Sequence, residues 1–396
     1  SHPDADAHRR GYSDSTLWPL YHGVHDRPVF QRAWRQAYHR VNRRFAAAAA
    51  AAAGPAARVL VHGHRLQLVP GFLRKLRPDL RIGFFLPTPF PPPEIFARLP
   101  TRSEILTGLL GADLVGFPGP QAAHNMLRLC HDLLGLGHDN GVLRVGERPV
   151  TVSSRTVGVD AAEVARLAGL PSVRARARQL RRRLGDPHTV LLGIDHLDAS
   201  QGIEQRLTAY EDLLRAGGLD AERTAIVQVV LPDPTPTTSA RQALRGRIEH
   251  HVGRINGDHA RMGGAVVHYL HQHHDLAERV ALYLAADVLT VTGLSEDPCL
   301  VGKEYAAART GGDGAVVRSS LTGAEADLPG AYRVNPHDGE ALRETVLTAL
   351  RSDPADRAAR LRSMQAAVHR RDAARWAAEL LTALTAPVEP LLEAAT

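Results

Sequence analysis

At 396 residues the chain is too long for one ordinary hydrophobic core, so its length predicts two domains. Its 44% hydrophobic and 23% charged residues are typical of a soluble globular protein, and no apolar run approaches the roughly 18 residues of a membrane span. Residues 1–10 carry no apolar signal-peptide core, and the cysteines Cys130 and Cys299 cannot build a disulfide framework. We therefore expect a cytoplasmic protein.

The net charge of +6 comes almost wholly from arginine, because Lys75 and Lys303 are the only lysines. The Arg-rich stretch 174–183 falls in a helical pattern, where a solvated helix face accounts for it. Nucleic-acid binding would instead require a basic stripe interleaved with aromatic residues. We expect no nucleic-acid and no membrane partner, and leave homo-oligomerisation open.

Short β-branched runs alternate with longer helical patterns, which is typical of parallel α/β layers. The predicted strands are residues 59–62, 82–86, 114–117, 156–159, 190–194, 225–230, 266–269, 288–292, 315–318 and 332–334. Polar or Gly/Pro segments follow them, and in open α/β sheets the carboxyl ends of the strands border the ligand crevice. The loops after these strands are therefore the expected binding loops.

The helical patterns also indicate where the domains divide. The alanine run 46–53 favours a helix that ends at Gly54-Pro55. We predict an N-terminal domain at residues 1–162, a C-terminal domain at 163–368, and a final helix and tail at 369–396. Trp376 on the apolar face of that last helix suggests that the helix crosses back to the first domain.

Several ordered segments carry a family resemblance over most of the chain. They are Leu17-Trp18-Pro19-Leu20-Tyr21-His22, Leu66-Gln67-Leu68-Val69-Pro70, Arg81-Ile82-Gly83-Phe84-Phe85-Leu86, Pro89-Phe90-Pro91-Pro92-Pro93-Glu94-Ile95-Phe96, Gly253-Arg254-Ile255-Asn256-Gly257, Leu300-Val301-Gly302-Lys303-Glu304-Tyr305 and Val334-Asn335-Pro336. Together they resemble the trehalose-6-phosphate synthases of glycosyltransferase family 20. The resemblance implies a GT-B fold, in which two Rossmann-like domains face an interdomain cleft. It also implies retaining glucosyl transfer from a nucleotide sugar to glucose 6-phosphate.

The segments that hold the donor diphosphate in that family are changed here. The family segment Arg-Leu-Asp-Tyr-(Thr/Ser)-Lys-Gly supplies two cations, and its counterpart puts His196 and Gln201 at those positions. The family loop Asp-Gly-Met-Asn-Leu donates backbone N–H groups at a helix N-terminus, and it reads Glu296-Asp297-Pro298-Cys299-Leu300. Pro298 has no N–H, and Asp297 adds a like charge. Since each charge-assisted phosphate contact is worth about 1.5–3 kcal/mol, we expect weak binding of nucleotide sugars.

The sugar-binding segments are changed as well. The family sequence His-Asp-Tyr-His-Leu becomes His62-Gly63-His64-Arg65-Leu66, and Leu-His-Ile-Pro-Phe-Pro becomes Leu86-Pro87-Thr88-Pro89-Phe90-Pro91. The arginine that takes the acceptor phosphate aligns with Thr235. The family's N-terminal glycine-rich loop finds no match in the residues before Trp18. Trp18 itself either matches an acceptor-side tryptophan of the family or packs in the core. We expect that loop to be missing.

The nucleoside end of the donor site is better preserved. Glu304 matches the glutamate that accepts the ribose hydroxyls, and the segment 268–275, with His271, matches the loop that frames the base. A Glu304→Gln change is therefore expected to weaken nucleoside binding without altering the melting temperature. The histidines of 268–275 lack zinc-finger spacing, so we expect neither a metal nor a cofactor.

The candidate catalytic residues are His64, His196 and Glu296. His62 and His64 are expected to lie at the end of one strand. Glu296 and Asp297 are candidates for acid–base chemistry, although Asp297 before Pro298 also resembles a helix N-cap. The sequence does not choose among these candidates.

Three functions remain open. The first is phosphorolysis, or its reverse, at the N-glycosidic bond of a nucleoside, with the Ser200-Gln201-Gly202 turn at a helix start holding one phosphate through backbone N–H groups. This reaction would suit nucleoside-antibiotic biosynthesis. The second is retaining or pseudo-glycosyltransfer from a nucleotide sugar. The third is a noncatalytic binding or regulatory subunit. The expected partners are small molecules: a nucleoside, phosphate or a sugar phosphate.

Overall fold

The structure is a computed structural model that describes residues 3–23, 27–232, 239–260, 264–323 and 325–385. The chain divides into two compact units. The first comprises Ser1–Thr156 and Trp376–Thr396, and the second comprises Val157–Arg375. Each contains one six-stranded, mainly parallel sheet with helices packed against it.

The first unit begins with helices and continues with alternating strands and helices. Its strands are β1 (Arg58–His62), β2 (Arg81–Phe85), β3 (Leu114–Phe117), β4 (His138–Asp139), β5 (Val142–Val145) and β6 (Arg148–Ser154). Its helices are α1 (Pro3–Asp6), a π-type helix (Ala7–Leu17), α2 (Trp18–His22), α3 (Arg32–Ala52), α4 (Val69–Leu76), α5 (Pro93–Phe96), α6 (Arg102–Leu109) and α7 (Pro120–Leu134), with a 3₁₀ turn at His64–Leu66.

The first sheet has the order β1-β2-β3-β6-β5-β4, with β4, β5 and β6 forming an antiparallel meander at one edge. The strand predicted at 156–159 is wrong: β6 ends at Ser154, and 156–159 form neither strand nor helix. In β6 only Val150 and Val152 are buried, so apolar residues alternate with polar ones instead of forming a continuous run. That weaker pattern explains the error.

The second unit repeats the βα alternation. Its strands are β7 (Thr189–His196), β8 (Thr224–Leu231), β9 (Val267–His271), β10 (Val288–Val291), β11 (Ala315–Ser319) and β12 (Tyr332–Val334). Its helices are α8 (Ala161–Gly169), α9 (Pro171–Arg183), α10 (Ile203–Arg215), α11 (Ser239–His259), α12 (Leu276–Ala285), α13 (Leu300–Ala308), α14 (Gly339–Arg351) and α15 (Pro354–Arg370), with a 3₁₀ turn at Ala199–Gln201.

The second sheet has the order β9-β8-β7-β10-β11-β12, and every paired strand in it is parallel. This is the doubly wound 3-2-1-4-5-6 arrangement, in which the strand order reverses between the first and fourth strands. Helices cover both faces, so β7 and β8 are buried along nearly their whole length. The reversal places a crevice outside the carboxyl ends of β7 and β10.

The final helix, α16 (Ala373–Thr385), starts at the end of the second unit, and from Trp376 onward it belongs to the first. The ring of Trp376 lies 5.1 Å from that of Phe85, and Nε of Arg81 donates a 3.0 Å hydrogen bond to the carbonyl oxygen of Leu384. These contacts confirm the predicted return of the C-terminal helix. None of the helices described is long and apolar enough to cross a membrane.

Candidate active site

The loops after β7 and β10 meet at the switch point of the second sheet. The N–H of Leu294 donates to the carbonyl oxygen of Ser200 at 2.6 Å, and the Thr292 hydroxyl donates to that of Gly202 at 2.8 Å. Gly202 has a φ of +64°, and a Cβ there would lie 2.1 Å from the Thr292 carbonyl oxygen. Only glycine therefore allows the two loops to approach this closely.

A buried polar network lies beneath these loops. Arg206 on α10 forms an ion pair with Asp195, the residue before the last of β7, and both side chains are buried. The Arg206 guanidinium also donates to the Gln228 side chain at 2.8 Å and to the Thr290 carbonyl oxygen at 2.8 Å. A Cβ at Gly193 would lie 2.8 Å from that guanidinium. The network connects strands β7, β8 and β10 with helix α10 beneath the two loops.

In the turn after β7, the N–H groups of Ser200 and Gln201 form hydrogen bonds within the turn. Oδ1 of Asp198 accepts both the N–H of Ser200, at 2.9 Å, and its hydroxyl, at 2.7 Å. The N–H of Gln201 donates to the carbonyl oxygen of Asp198 at 3.1 Å. Because these donors are used inside the turn, the geometry does not favour phosphate binding by Ser200 and Gln201, which stays a prediction. The exposed side chain of His196 and the half-exposed side chain of Gln201 still lie at the carboxyl end of β7.

The loop after β10 leads into α13, whose first residue, Leu300, is exposed. Oδ1 of Asp297 accepts the N–H of Cys299 at 2.6 Å, so this carboxylate takes a loop donor one residue before the helix. Glu296 is half-buried, and its Oε1 lies 3.5 Å from where a Cβ of Gly323 would be. Cys299 has a φ of +52°, and burial raises the pKa of its thiol to about 12. The thiol therefore stays protonated at neutral pH.

Glu304 lies one turn into α13 and is already paired. Its Oε1 accepts from Nη2 of Arg279 at 3.0 Å, and its Oε2 accepts from Nε of Arg279 at 3.2 Å and from the Tyr283 hydroxyl at 2.7 Å. Oε1 retains a further lone pair, whereas Oε2 already accepts two hydrogen bonds. Ribose binding by Glu304 stays a prediction. The expectation that Glu304→Gln leaves stability unchanged does not fit this geometry, because the substitution weakens a half-buried ion pair.

The histidines of the segment 268–275 lie at and beyond the edge strand β9. His271 ends that strand and is half-exposed, and partial burial lowers its pKa. His268 and His274 line a cavity of about 210 Å³. Among the residues that the structure describes, no three His, Cys, Asp or Glu side chains are grouped to hold a metal ion. Thr235 lies outside the described residues.

The predicted residues of the first unit gather around the end of β1. His62 is the last residue of that strand, whereas His64 lies in the 3₁₀ turn that follows, so the two do not lie on one strand as predicted. The turn starts at Gly63, whose backbone has a φ of +89°, a conformation that residues with a side chain adopt only with strain. The Trp18 ring packs edge-on at 5.4 Å from that of His64 and stacks at 3.8 Å on that of His22. Trp18 and His64 therefore form one aromatic cluster.

Two of the residues predicted for the site in the first unit, His64 and Thr88, carry a buried polar atom that has no hydrogen-bond partner among the described residues. These atoms are Nε2 of His64 and Oγ1 of Thr88. Burial, helped by the positive charge of Arg65, lowers the pKa of His64 to about 3. His64 is thus neutral at physiological pH, which makes it a poor general acid but leaves it able to form a hydrogen bond with a ligand.

Two buried arginines of the second unit were not singled out from the sequence: Arg206, beneath the loops after β7 and β10, and Arg318, on β11. Arg318 stands in the apolar strand Ala315–Ser319, where a charged residue is unusual and is itself a signal. Arg206 lies in a helix of mixed composition, and its sequence position gives no such signal.

Comparison with known proteins adds the family. The sequence matches the profile of Glycosyltransferase family 20 over residues 1–386. The Trehalose-6-phosphate synthase of Mycobacterium sp. (strain JLS) is 44% identical over 390 residues, covering 96% of this chain and 80% of that protein. The one from Mycobacterium tuberculosis (strain CDC 1551 / Oshkosh) is 43% identical over 390 residues, covering 96% of this chain and 78% of that protein.

Solved structures give the same result for the fold. An alpha,alpha-trehalose-phosphate synthase (UDP-forming) from Burkholderia xenovorans, in complex with glucose-6-phosphate, matches with a TM-score of 0.92 at 28% identity, covering 97% of this chain and 86% of that chain. A structure described as trehalose-6-phosphate from E. coli bound with UDP-2-fluoro glucose matches with a TM-score of 0.92 at 29% identity, covering 98% and 86%. These matches confirm the predicted GT-B fold with two Rossmann-like domains.

Proposed function

Since this chain belongs to glycosyltransferase family 20, we propose that it is a retaining glycosyltransferase that uses a nucleotide sugar as donor and a sugar phosphate as acceptor. The observation that carries the proposal is the switch-point crevice. There the loops after β7 and β10 converge at the N-terminus of α13, and Glu304 lies one turn into that helix. In doubly wound sheets this is where nucleotides bind.

Nucleoside phosphorolysis, the first hypothesis drawn from the sequence, finds no support. The relatives at 43–44% identity are named as synthases, and one neighbouring structure holds a UDP sugar analogue. In the turn that was predicted to hold inorganic phosphate, the Asp198 carboxylate accepts hydrogen bonds from the N–H and the hydroxyl of Ser200. The second hypothesis, transfer from a nucleotide sugar, fits these findings better.

Donor binding is nonetheless expected to be weak, in roughly the millimolar range, because His196 and Gln201 offer no permanent charge to a diphosphate. The direct test is to incubate the protein with UDP-, ADP- or GDP-glucose, with and without glucose 6-phosphate. We expect acceptor-dependent release of the nucleoside diphosphate and a disaccharide phosphate whose new bond keeps the α configuration by NMR. If nucleosides with phosphate release base while no nucleotide sugar reacts, the proposal is wrong.

Restoring the two cations is a second test. The double variant His196→Arg, Gln201→Lys should bind UDP at least about tenfold more tightly than the parent, because charge-assisted contacts to phosphate are added. Calorimetry with UDP and with uridine measures the effect, and the uridine affinity should stay the same. The matched control is His188→Arg, an exposed residue just before the opposite end of β7. An equal gain in that control would show that net charge alone is responsible.

A further inference from the structure

Arg318 is a buried cation with unused hydrogen-bonding capacity. It is the fourth of the five residues of β11, and 1% of its surface is exposed. Its Nη1 donates to the carbonyl oxygen of Ser319 at 3.0 Å, whereas Nε and Nη2 have no hydrogen-bond partner within the described ranges. A guanidinium in this position costs free energy unless an anion or another acceptor completes its hydrogen bonds.

The strand direction places Arg318 below the start of α13. Side chains two residues apart on a strand share one face, so Arg318 lies on the same face as Val316. Cγ1 of Val316 is 3.9 Å, and Sγ of Cys299 is 2.8 Å, from where a Cβ of Gly302 in the first turn of α13 would lie. Arg318 is two residues further toward the carboxyl edge, near Cys299: burial raises the pKa of that thiol, and the charge of Arg318 acts in the opposite direction. The guanidinium therefore lies at the N-terminal end of α13.

The turn after β11 belongs to the same crevice. The N–H of Asp297 donates to the carbonyl oxygen of Thr322 at 3.3 Å, and a Cβ at Gly293 would lie 3.1 Å from the Thr322 methyl group. The segment that follows β11 thus packs directly against the loop after β10. Arg318, which precedes this turn, is beside the switch-point loops.

The carboxylates near Arg318 are held by other cations. Asp327 forms ion pairs with Lys303 at 2.7 Å and with Arg371 at 2.9 Å. Glu325 pairs with Arg333, the residue beside Arg318 on β12. An anion bound at Arg318 would therefore displace no ion pair of that residue among those within the described ranges.

We propose that Arg318 is the cation that binds a phosphate group of the donor's nucleoside diphosphate at the N-terminus of α13, in place of the charge that His196 and Gln201 do not supply. The proposal rests on the proposed function, since it assumes a nucleotide-sugar donor. Two properties suit the role: Nε and Nη2 form a fork that matches two phosphate oxygens, and the first N–H groups of a helix lack intrahelical partners.

The test compares nucleoside diphosphates with nucleosides. Calorimetry with UDP, ADP and GDP, and with uridine, adenosine and guanosine, is run on the parent protein, Arg318→Leu and Arg318→Lys. We expect Arg318→Leu to weaken the best diphosphate by about tenfold or more, the worth of one charge-assisted hydrogen bond, with the nucleoside affinity unchanged. Arg318→Lys keeps the charge without the fork, so its diphosphate affinity should lie between that of the parent and that of Arg318→Leu. It also serves as the test variant if Arg318→Leu does not fold.

Arg333→Leu is the matched control, because it removes the same charge from the residue that pairs with Arg318 in register, and it should leave both affinities at the parent value. Diphosphate affinity that is unchanged in Arg318→Leu, or that falls together with nucleoside affinity, overturns the role of Arg318 while leaving the proposed function standing. A parent protein that binds no nucleoside diphosphate even at millimolar concentrations and turns over no nucleotide sugar overturns the proposed function and this inference with it.

Discussion

The Glu304 carboxylate is paired with Arg279, and this gives a prediction about stability. Both side chains are mostly buried, at 15% and 22% exposure. Replacing Glu304 with Gln removes the charge that faces the Arg279 guanidinium, and we expect the free energy of unfolding to fall by about 1–3 kcal/mol. Urea denaturation followed by circular dichroism measures the loss.

The control is Glu344→Gln on the exposed face of α14, which should change the free energy of unfolding by less than about 0.5 kcal/mol. If Glu304→Gln is as stable as this control, Arg279 and Glu304 do not stabilise the fold. Glu304 would then have to be explained by ligand binding alone.

His64 predicts a pH dependence. Its pKa is lowered from 6.5 to about 3 in the folded protein, so the unfolded chain binds more protons between those values. The neutral form therefore contributes stability that is complete above pH 6.5 and is lost as the pH falls toward 3. Between pH 7.5 and 5, His64→Gln should lose about 2 kcal/mol less free energy of unfolding than the parent.

Other buried histidines, such as His8, also have lowered pKa values, so the parent curve alone is not diagnostic. The difference between parent and variant isolates His64. His337→Gln, at an exposed position, should reproduce the parent curve. A His64→Gln curve parallel to the parent's would show that His64 titrates normally.

At the scale of elements, Gly202 joins the loops after β7 and β10. Gly202→Ala combines a left-handed backbone with a Cβ placed 2.1 Å from the Thr292 carbonyl oxygen. Gly217 has a similar φ of +70° but nothing within 4 Å of its Cβ position, which makes it a matched control. We expect Gly217→Ala to cost about 1 kcal/mol and Gly202→Ala clearly more, in urea denaturation. Equal costs would mean that the loops separate freely.

Comparing the predicted with the observed strands shows which parts of the fold could be predicted from the sequence. Strands β3 and β12 were predicted to the residue, because apolar runs end at turn residues. The β4–β5 hairpin was missed although Asn140-Gly141 is a strong turn signal, and both residues adopt positive φ. That information was present in the sequence. β4 has only two residues, both polar, and β5 has only four, so the hydrophobic pattern gave little support.

The candidate site could be predicted only in part from the sequence, because its side-chain pairs join separate elements of the fold. The pairing of Glu304 with Arg279 joins two helices, and the pairing of Arg206 with Asp195 joins a helix to a strand. Neither pair has a spacing that local geometry explains. A motif locates a residue, but only the tertiary structure shows which partner already uses its hydrogen bonds.

For the whole molecule, the return of α16 to the first unit gives the last prediction. Leu384 is 2% exposed, and its methyl groups lie 3.3 Å from where a Cβ of Gly83 would be, so the helix packs against β2. Leu384→Ala removes buried apolar atoms and should cost about 2–5 kcal/mol. Leu381→Ala, on the same helix at 50% exposure, is the control and should cost little. Hydrogen exchange read by mass spectrometry should show faster exchange in β1 and β2 of the Leu384 variant and unchanged exchange in β7 and β10. Faster exchange confined to the second unit would mean that the helix stabilises that unit instead.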